Sequence, residues 1–245
     1  MHLMEYIFVV LVSFFGSLLQ RITGFGFGIF AMIFLPHLLS SYKAANALAG
    51  MLSLLSCLVV TASLFRLVDW KNLILPSCAS VAASFFAVRF MSGQEDALLR
   101  VLLGVFLILL SVYLMFFSDR IHIKPTWYGG LASGGLSGIM SGLFAMGGPP
   151  VVVYFMESEN DVNRYLATIQ AYFALTNLFN TAIKAAAGFV SGSVLIFWLF
   201  GAAGMLAGVY AGKKVCGKLN AGLIKKLVYA MMAASGVVNI AMSVL

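Results

Sequence analysis

Arg21 stands inside an apolar run beside Gln20 and Thr23, and three alternating glycines follow it: Gly24, Gly26 and Gly28. A guanidinium can give a carboxylate or sulfonate two parallel hydrogen bonds. A charge at the bilayer centre costs about 3 kcal/mol on insertion scales, so Arg21 should face a cavity or a partner. Its other reading is a hairpin turn, or a side chain that reaches the surface. A second cluster holds Gly142, Gly147 and Gly148 followed by Pro149 and Pro150. A helix that starts after either cluster presents unpaired N–H groups carrying about half a positive charge. Glycine lets an anion come close to that backbone. Two such starts facing one cavity would hold a small anion. The competing reading is that these glycines only let helices pack tightly.

Gln170, Asn177, Thr181 and Lys184 follow at spacings of seven, four and three, which puts them on one helical face, with Asn180 beside it. Amides in lipid must find partners, so this face should point inward, either to a site or to a neighbouring helix. The earlier half offers a weaker face of the same kind, with Asn46, Gly50, Ser53 and Cys57. Lys184 lies near the end of its segment and is expected to snorkel to the surface. The candidate binding set is therefore Arg21 and the glycines of both clusters, with Pro149, Asn46, Gln170, Asn177 and Thr181.

These residues are carried by an apolar chain. Of 245 residues, 62% are hydrophobic and 9% charged, and mean hydropathy is +1.03. A soluble domain carries about 25% charged residues, so the bilayer is the solvent. The net charge of +7 is scattered singly between apolar runs, as loop charges are in membrane proteins, which argues against nucleic acid. Cys57, Cys78 and Cys216 have no metal-ligand or disulfide spacing, and no cofactor is called for. The first apolar run lacks a basic leader and an A-x-A site and reads as a retained span.

The long apolar runs fall at roughly 3–39, 43–66, 72–91, 97–117, 127–156, 163–187, 193–213 and 224–245. That predicts an all-α polytopic membrane protein with about eight hydrophobic segments, each near the ~20 residues a span needs. Runs 3–39 and 127–156 are too long for one straight helix and contain the glycine clusters. Each is a kinked crossing or a hairpin, and the sequence leaves both open. The polar stretch 118–126 divides an N-terminal repeat, 1–117, from a C-terminal repeat, 127–245. Arg89, Gly93, Ala97, Leu99, Leu103 and Ser111 align without gaps on Lys213, Gly217, Ala221, Leu223, Leu227 and Ser235. Interrupted segments at matching places in two halves point to a transporter's binding site. Hairpins would make the halves inverted repeats. Lys/Arg loop bias, nine against five on alternate sides of eight crossings, puts both termini outside the cytoplasm.

The paired glycine clusters, the Gly147-Gly148-Pro149-Pro150 run before Val151-Val152-Val153-Tyr154, and Arg164 opening the next segment resemble the TauE/SafE family. Those are exporters of sulfite and organosulfur anions. The resemblance covers nearly the whole chain and implies export of a small anion across the cell membrane. In each half the family has glycines before a proline, matched here by Gly24, Gly26, Gly28 and Pro36, then Gly142, Gly147, Gly148 and Pro149. Phe25 and Phe27 dilute the first cluster, and Pro150 stands where a further glycine is usual, so the anion could differ.

The expected function is a secondary transporter working by alternating access around the broken helices. An anion-selective channel built on the same helix ends is the alternative. An intramembrane enzyme or assembly factor is a distant third, because no nucleophile, base or metal set pairs within the membrane. No Gly-x-x-x-x-Gly-Lys-Ser/Thr loop is present for ATP. The expected partners are a small anionic substrate and lipid. Proton or ion coupling and homo-oligomerisation stay open.

Overall fold

Two glycines in the left-handed region, Gly24 at φ +83° and Gly26 at φ +106°, end the first helix and start the second. Only glycine adopts such angles without strain. The first long apolar run thereby becomes α1 (His2–Thr23) and the short α2 (Phe27–Leu38). The computed structural model of the chain describes residues 2–116, 123–159, 161–215 and 221–244. The described residues form helices joined by short connections, without strands. There follow α3 (Tyr42–Leu64), α4 (Trp70–Ser92), α5 (Asp96–Phe116), α6 (Trp127–Phe144), α7 (Gly148–Ser158), α8 (Val162–Ala186), α9 (Gly192–Val215) and α10 (Ala221–Val244). Asp119, Arg120 and His122 of the connecting stretch lie outside the described residues, as do Cys216, Gly217 and Lys218.

Where the sequence suggests eight apolar segments, the structure has ten helices among the described residues. Among the described residues, five stretches are long and apolar enough to cross a membrane: Leu3–Arg21, Tyr42–Leu67, Trp70–Ser92, Asp96–Phe116 and Gly192–Lys214. Phe86, Leu109 and Leu199 are 71%, 63% and 64% exposed on them. In a soluble protein so much exposed apolar surface would aggregate; here it suits lipid.

Small residues set the helix pairs. α1 packs on α9, where a side chain at Gly204 would strike the Val10 carbonyl and one at Gly208 that of Phe14. Ser17 Oγ donates to the Met205 carbonyl across this contact at 3.0 Å. α4 packs on α6 through Gly134 against Pro76, Gly138 against Ser80 and Gly142 against Ala87. α5 and α10 meet at Gly104 and Gly236, and Ser111 Oγ reaches the Tyr229 carbonyl at 2.7 Å. α3 and α8 form the central pair.

Polar contacts mark the two ends of this bundle. At one end the Tyr42 N–H donates to Asp96 at 2.8 Å and Lys43 to the Ser92 carbonyl at 3.1 Å, while Arg100 holds the Pro36 and Leu39 carbonyls. At the other, Arg164 bridges Asp69 at 2.9 Å and Glu159 at 3.2 Å. α2 therefore ends where α3 begins, and α7 ends at the opposite end, where α8 begins. α1 runs parallel to α9 (Val10 beside Gly204, Arg21 beside Gly212), and α6 runs parallel to α4. The pairs α1/α2 and α6/α7 are thus hairpins entering from opposite ends.

Candidate functional site

The tips of the two hairpins touch. Gly28, in the first turn of α2, lies so close to the Ala145 carbonyl at the end of α6 that a Cβ would collide with it. Gly148, the first residue of α7, lies against the Phe25 side chain, with 3.1 Å between the ring and the place of a Cβ. Ala145 supplies the left-handed turn of the second hairpin at φ +56°, a conformation that costs a non-glycine residue about 1 kcal/mol.

Between the tips lies a small cavity of about 30 Å³, and it is lined by both helix starts. On α2 the N–H groups of Phe27, Gly28 and Ile29 precede the first intrahelical bond, from Phe30 to the Gly26 carbonyl at 3.0 Å. On α7 the prolines at 149 and 150 carry no N–H, so Gly148 is the one donor among its first three residues. Gln20, Ser53, Ser137, Ser141, Thr176 and Asn177 make the polar wall. Ser137 Oγ donates to the Gly147 carbonyl at 2.6 Å and accepts from Tyr172 at 2.9 Å, fixing the second tip. Asn177 Nδ2 donates to Ser53 Oγ at 3.1 Å and Asn180 Nδ2 to Ser141 Oγ at 2.7 Å. Among the described residues no charged side chain lines this cavity.

A smaller cavity, about 10 Å³, lies beyond Gln20 and is lined by Arg21, Gly24, Ser56 and Gln170 among others. Gln20 borders both spaces. Its amide donates to Gln170 Oε1, in the wall of the smaller space, at 3.2 Å.

The remaining polar residues close helix ends. Gln170 Nε2 donates to the Gly24 carbonyl at 2.8 Å, at the end of α1. The Leu143 carbonyl, at the end of α6, accepts from Tyr42 at 2.6 Å and from Asn46 at 2.8 Å. These carbonyls have no partner within their own helices; α8, which follows the second hairpin, supplies an amide to the first, and α3, which follows the first, supplies one to the second.

The candidate set therefore separates. Gly26, Gly28, Gly147, Gly148 and Asn177 line the main cavity. Arg21, Gly24 and Gln170 line the second. Asn46 sits at the end of α6, Gly142 packs on α4, and Pro149 is buried in the first turn of α7. Thr181 is outside the lining of both, its hydroxyl buried without a partner. The snorkelling expected of Lys184 is corrected: it is 1% exposed, with Nζ 3.4 Å from the Ser141 carbonyl. The segment's end is covered by the α6 tip, so the ammonium has no path to the surface. Ser137, Ser141 and Thr176 escaped the sequence reading. Ser137 and Ser141 are four residues apart in α6, a same-face spacing that their glycine-rich surroundings obscured.

Comparison with protein families matches residues 9–238 to the family described as sulfite exporter TauE/SafE. No curated protein and no solved structure matches the chain.

Proposed function

The chain belongs to the TauE/SafE sulfite exporter family and is a membrane transporter, not an enzyme; on that premise we propose that it exports sulfite or a related organosulfur or carboxylate anion by alternating access at the two hairpin tips. One observation carries the reading: the first turns of α2 and α7 open on one cavity whose other walls are hydroxyls and amides. N–H groups at a helix start bind anions, and an uncharged wall lets the anion leave as readily as it enters. Arg21, in the neighbouring cavity, would collect the anion before it passes the Gln20–Gln170 bond.

Two inverted repeats, divided at 118–126, would supply the moving parts. The swapped pairing of α1 with α9 and α6 with α4 supports this, since exchanging the halves maps one pair onto the other. The shared device of Gln170 closing α1 and Asn46 closing α6 supports it as well. Hairpins also change the charge count. Arg66, Lys71, Lys124, Arg164, Lys213, Lys214 and Lys226 fall at the end bearing α7's exit, against Lys43, Arg89 and Arg100 at the other. The positive-inside rule makes the first end cytoplasmic and puts both termini outside the cell membrane.

The test is flux of labelled sulfite, sulfoacetate and thiosulfate in proteoliposomes, with and without a pH gradient. Saturable flux with counterflow is expected for at least one anion. Unsaturable flux would indicate a channel, and no flux from folded, inserted protein would remove the substrate assignment.

A further inference from the structure

Lys184 has no counter-charge among the described residues. It is 1% exposed, and its one hydrogen bond runs from Nζ to the Ser141 carbonyl at 3.4 Å. The ion pairs of Arg164 with Asp69 and Glu159 lie near the α8 start, far along that helix from Lys184. A buried lysine in a membrane segment is expensive and marks function unless a partner neutralises it. Ser141 links the ammonium to the main cavity: it lines that space, and its carbonyl accepts the Nζ hydrogen bond. Across α3, a Cβ at Gly50 would lie 3.6 Å from Nζ, so a bare backbone flanks the ammonium there. Two neighbouring acceptors, Asn180 Oδ1 and Thr181 Oγ1, are buried without partners.

The hairpin architecture gives such a charge a role. Each tip brings together the start of one helix and the end of another. The positive starts of α2 and α7 therefore lie beside the negative ends of α1 and α6, and their partial charges oppose each other. Pro149 and Pro150 remove two donors from the α7 start as well. Helix ends alone leave the cavity with donors but little net potential.

We propose that Lys184 is the positive group that makes the central cavity selective for anions, and that the transported anion is its counter-ion. The proposal rests on the transport reading and adds the source of charge selection. The ammonium acts across the Ser141 backbone, in a water-poor interior where a full charge is weakly screened.

The experiment compares wild-type, Lys184→Gln and Lys184→Met proteins in detergent and in proteoliposomes. Thermal stability is measured with and without sulfite, and flux is measured at several sulfite concentrations. Both variants should hold or raise the stability of the sulfite-free protein, because removing an uncompensated buried charge is neutral or favourable. Both should lose the sulfite-induced rise in Tm, and apparent affinity should fall about ten- to a hundredfold, as for loss of one charged interaction. Wild-type sulfite response in either variant overturns the proposal. So does a fall in sulfite-free stability, or failure of both variants to fold, which would make Lys184 a structural cap for α6. If wild-type protein itself ignores sulfite, the sulfite reading fails separately. The sulfite-free stabilities then still decide whether Lys184 is an uncompensated charge.

Discussion

At the scale of single residues, the cavity is governed by what each backbone and side chain leaves unfilled. Gly28→Ala would drive a methyl group into the Ala145 carbonyl. Overpacking of this kind costs about 1–3 kcal/mol, so the variant should melt earlier and transport little, as a thermal scan and a flux assay would show. Ala145→Gly should do the reverse and raise stability by about 1 kcal/mol, because it relieves a left-handed alanine. Asn177 stands in the wall with its amide on Ser53, whereas Asn46 closes a helix end away from the cavity. Asn177→Ala should therefore lower flux while keeping membrane insertion, and Asn46→Ala should lower thermal stability. If Asn177→Ala and Arg21→Gln both transport normally, the assignment of a binding wall and a vestibule is wrong.

At the scale of elements, the two hairpins are held by different means. The α6/α7 hairpin leans on α4 through a run of glycines, and bulk at Gly138 would separate it from Ser80. Gly138→Leu should abolish transport and lower the yield of folded protein, whereas Leu at Gly135, which faces open space, should be tolerated. Side-by-side purification yields and fluxes test the pair. The outer ion cluster matters less. Arg164 is 51% exposed where it meets Asp69 and Glu159, and exposed bridges contribute about 0–1 kcal/mol. Asp69 does more, since its carboxylate also accepts from the N–H groups of Lys71 and Asn72 at the start of α4. Losing such a cap costs about 1 kcal/mol, so Asp69→Ala should be the more damaging of the two in a melting experiment.

At the scale of the molecule, the bundle separates a lipid-facing apolar surface from a packed interior, with two hairpins meeting in it from opposite ends. If the positively charged end is cytoplasmic, a membrane-impermeant reagent should label a cysteine placed at position 40, beside the α2 exit, in intact cells. A cysteine at position 125 should be labelled only after lysis. The opposite pattern would invert the assigned orientation and the direction of export inferred with it.

What the chain's own residues determined was the solvent, the element type and the places where helices break. Apolar runs of spanning length and single loop charges need no tertiary information, since a backbone in lipid must bond to itself. Gly24, Gly26, Gly147 and Gly148 announced the two interruptions, and the match over residues 9–238 agrees with the family those motifs resemble. Only the tertiary structure decided which glycine does what. Gly142 meets α4 while Gly28 meets the other hairpin, and spacing within one helix carries no record of its neighbour. The same limit hid Lys184. Near the end of an apolar segment, local pattern allows a lysine to reach the surface, and the α6 tip that covers it comes from more than forty residues away in sequence. Long-range packing of helix ends, and not the composition of either helix, placed that charge beside the cavity.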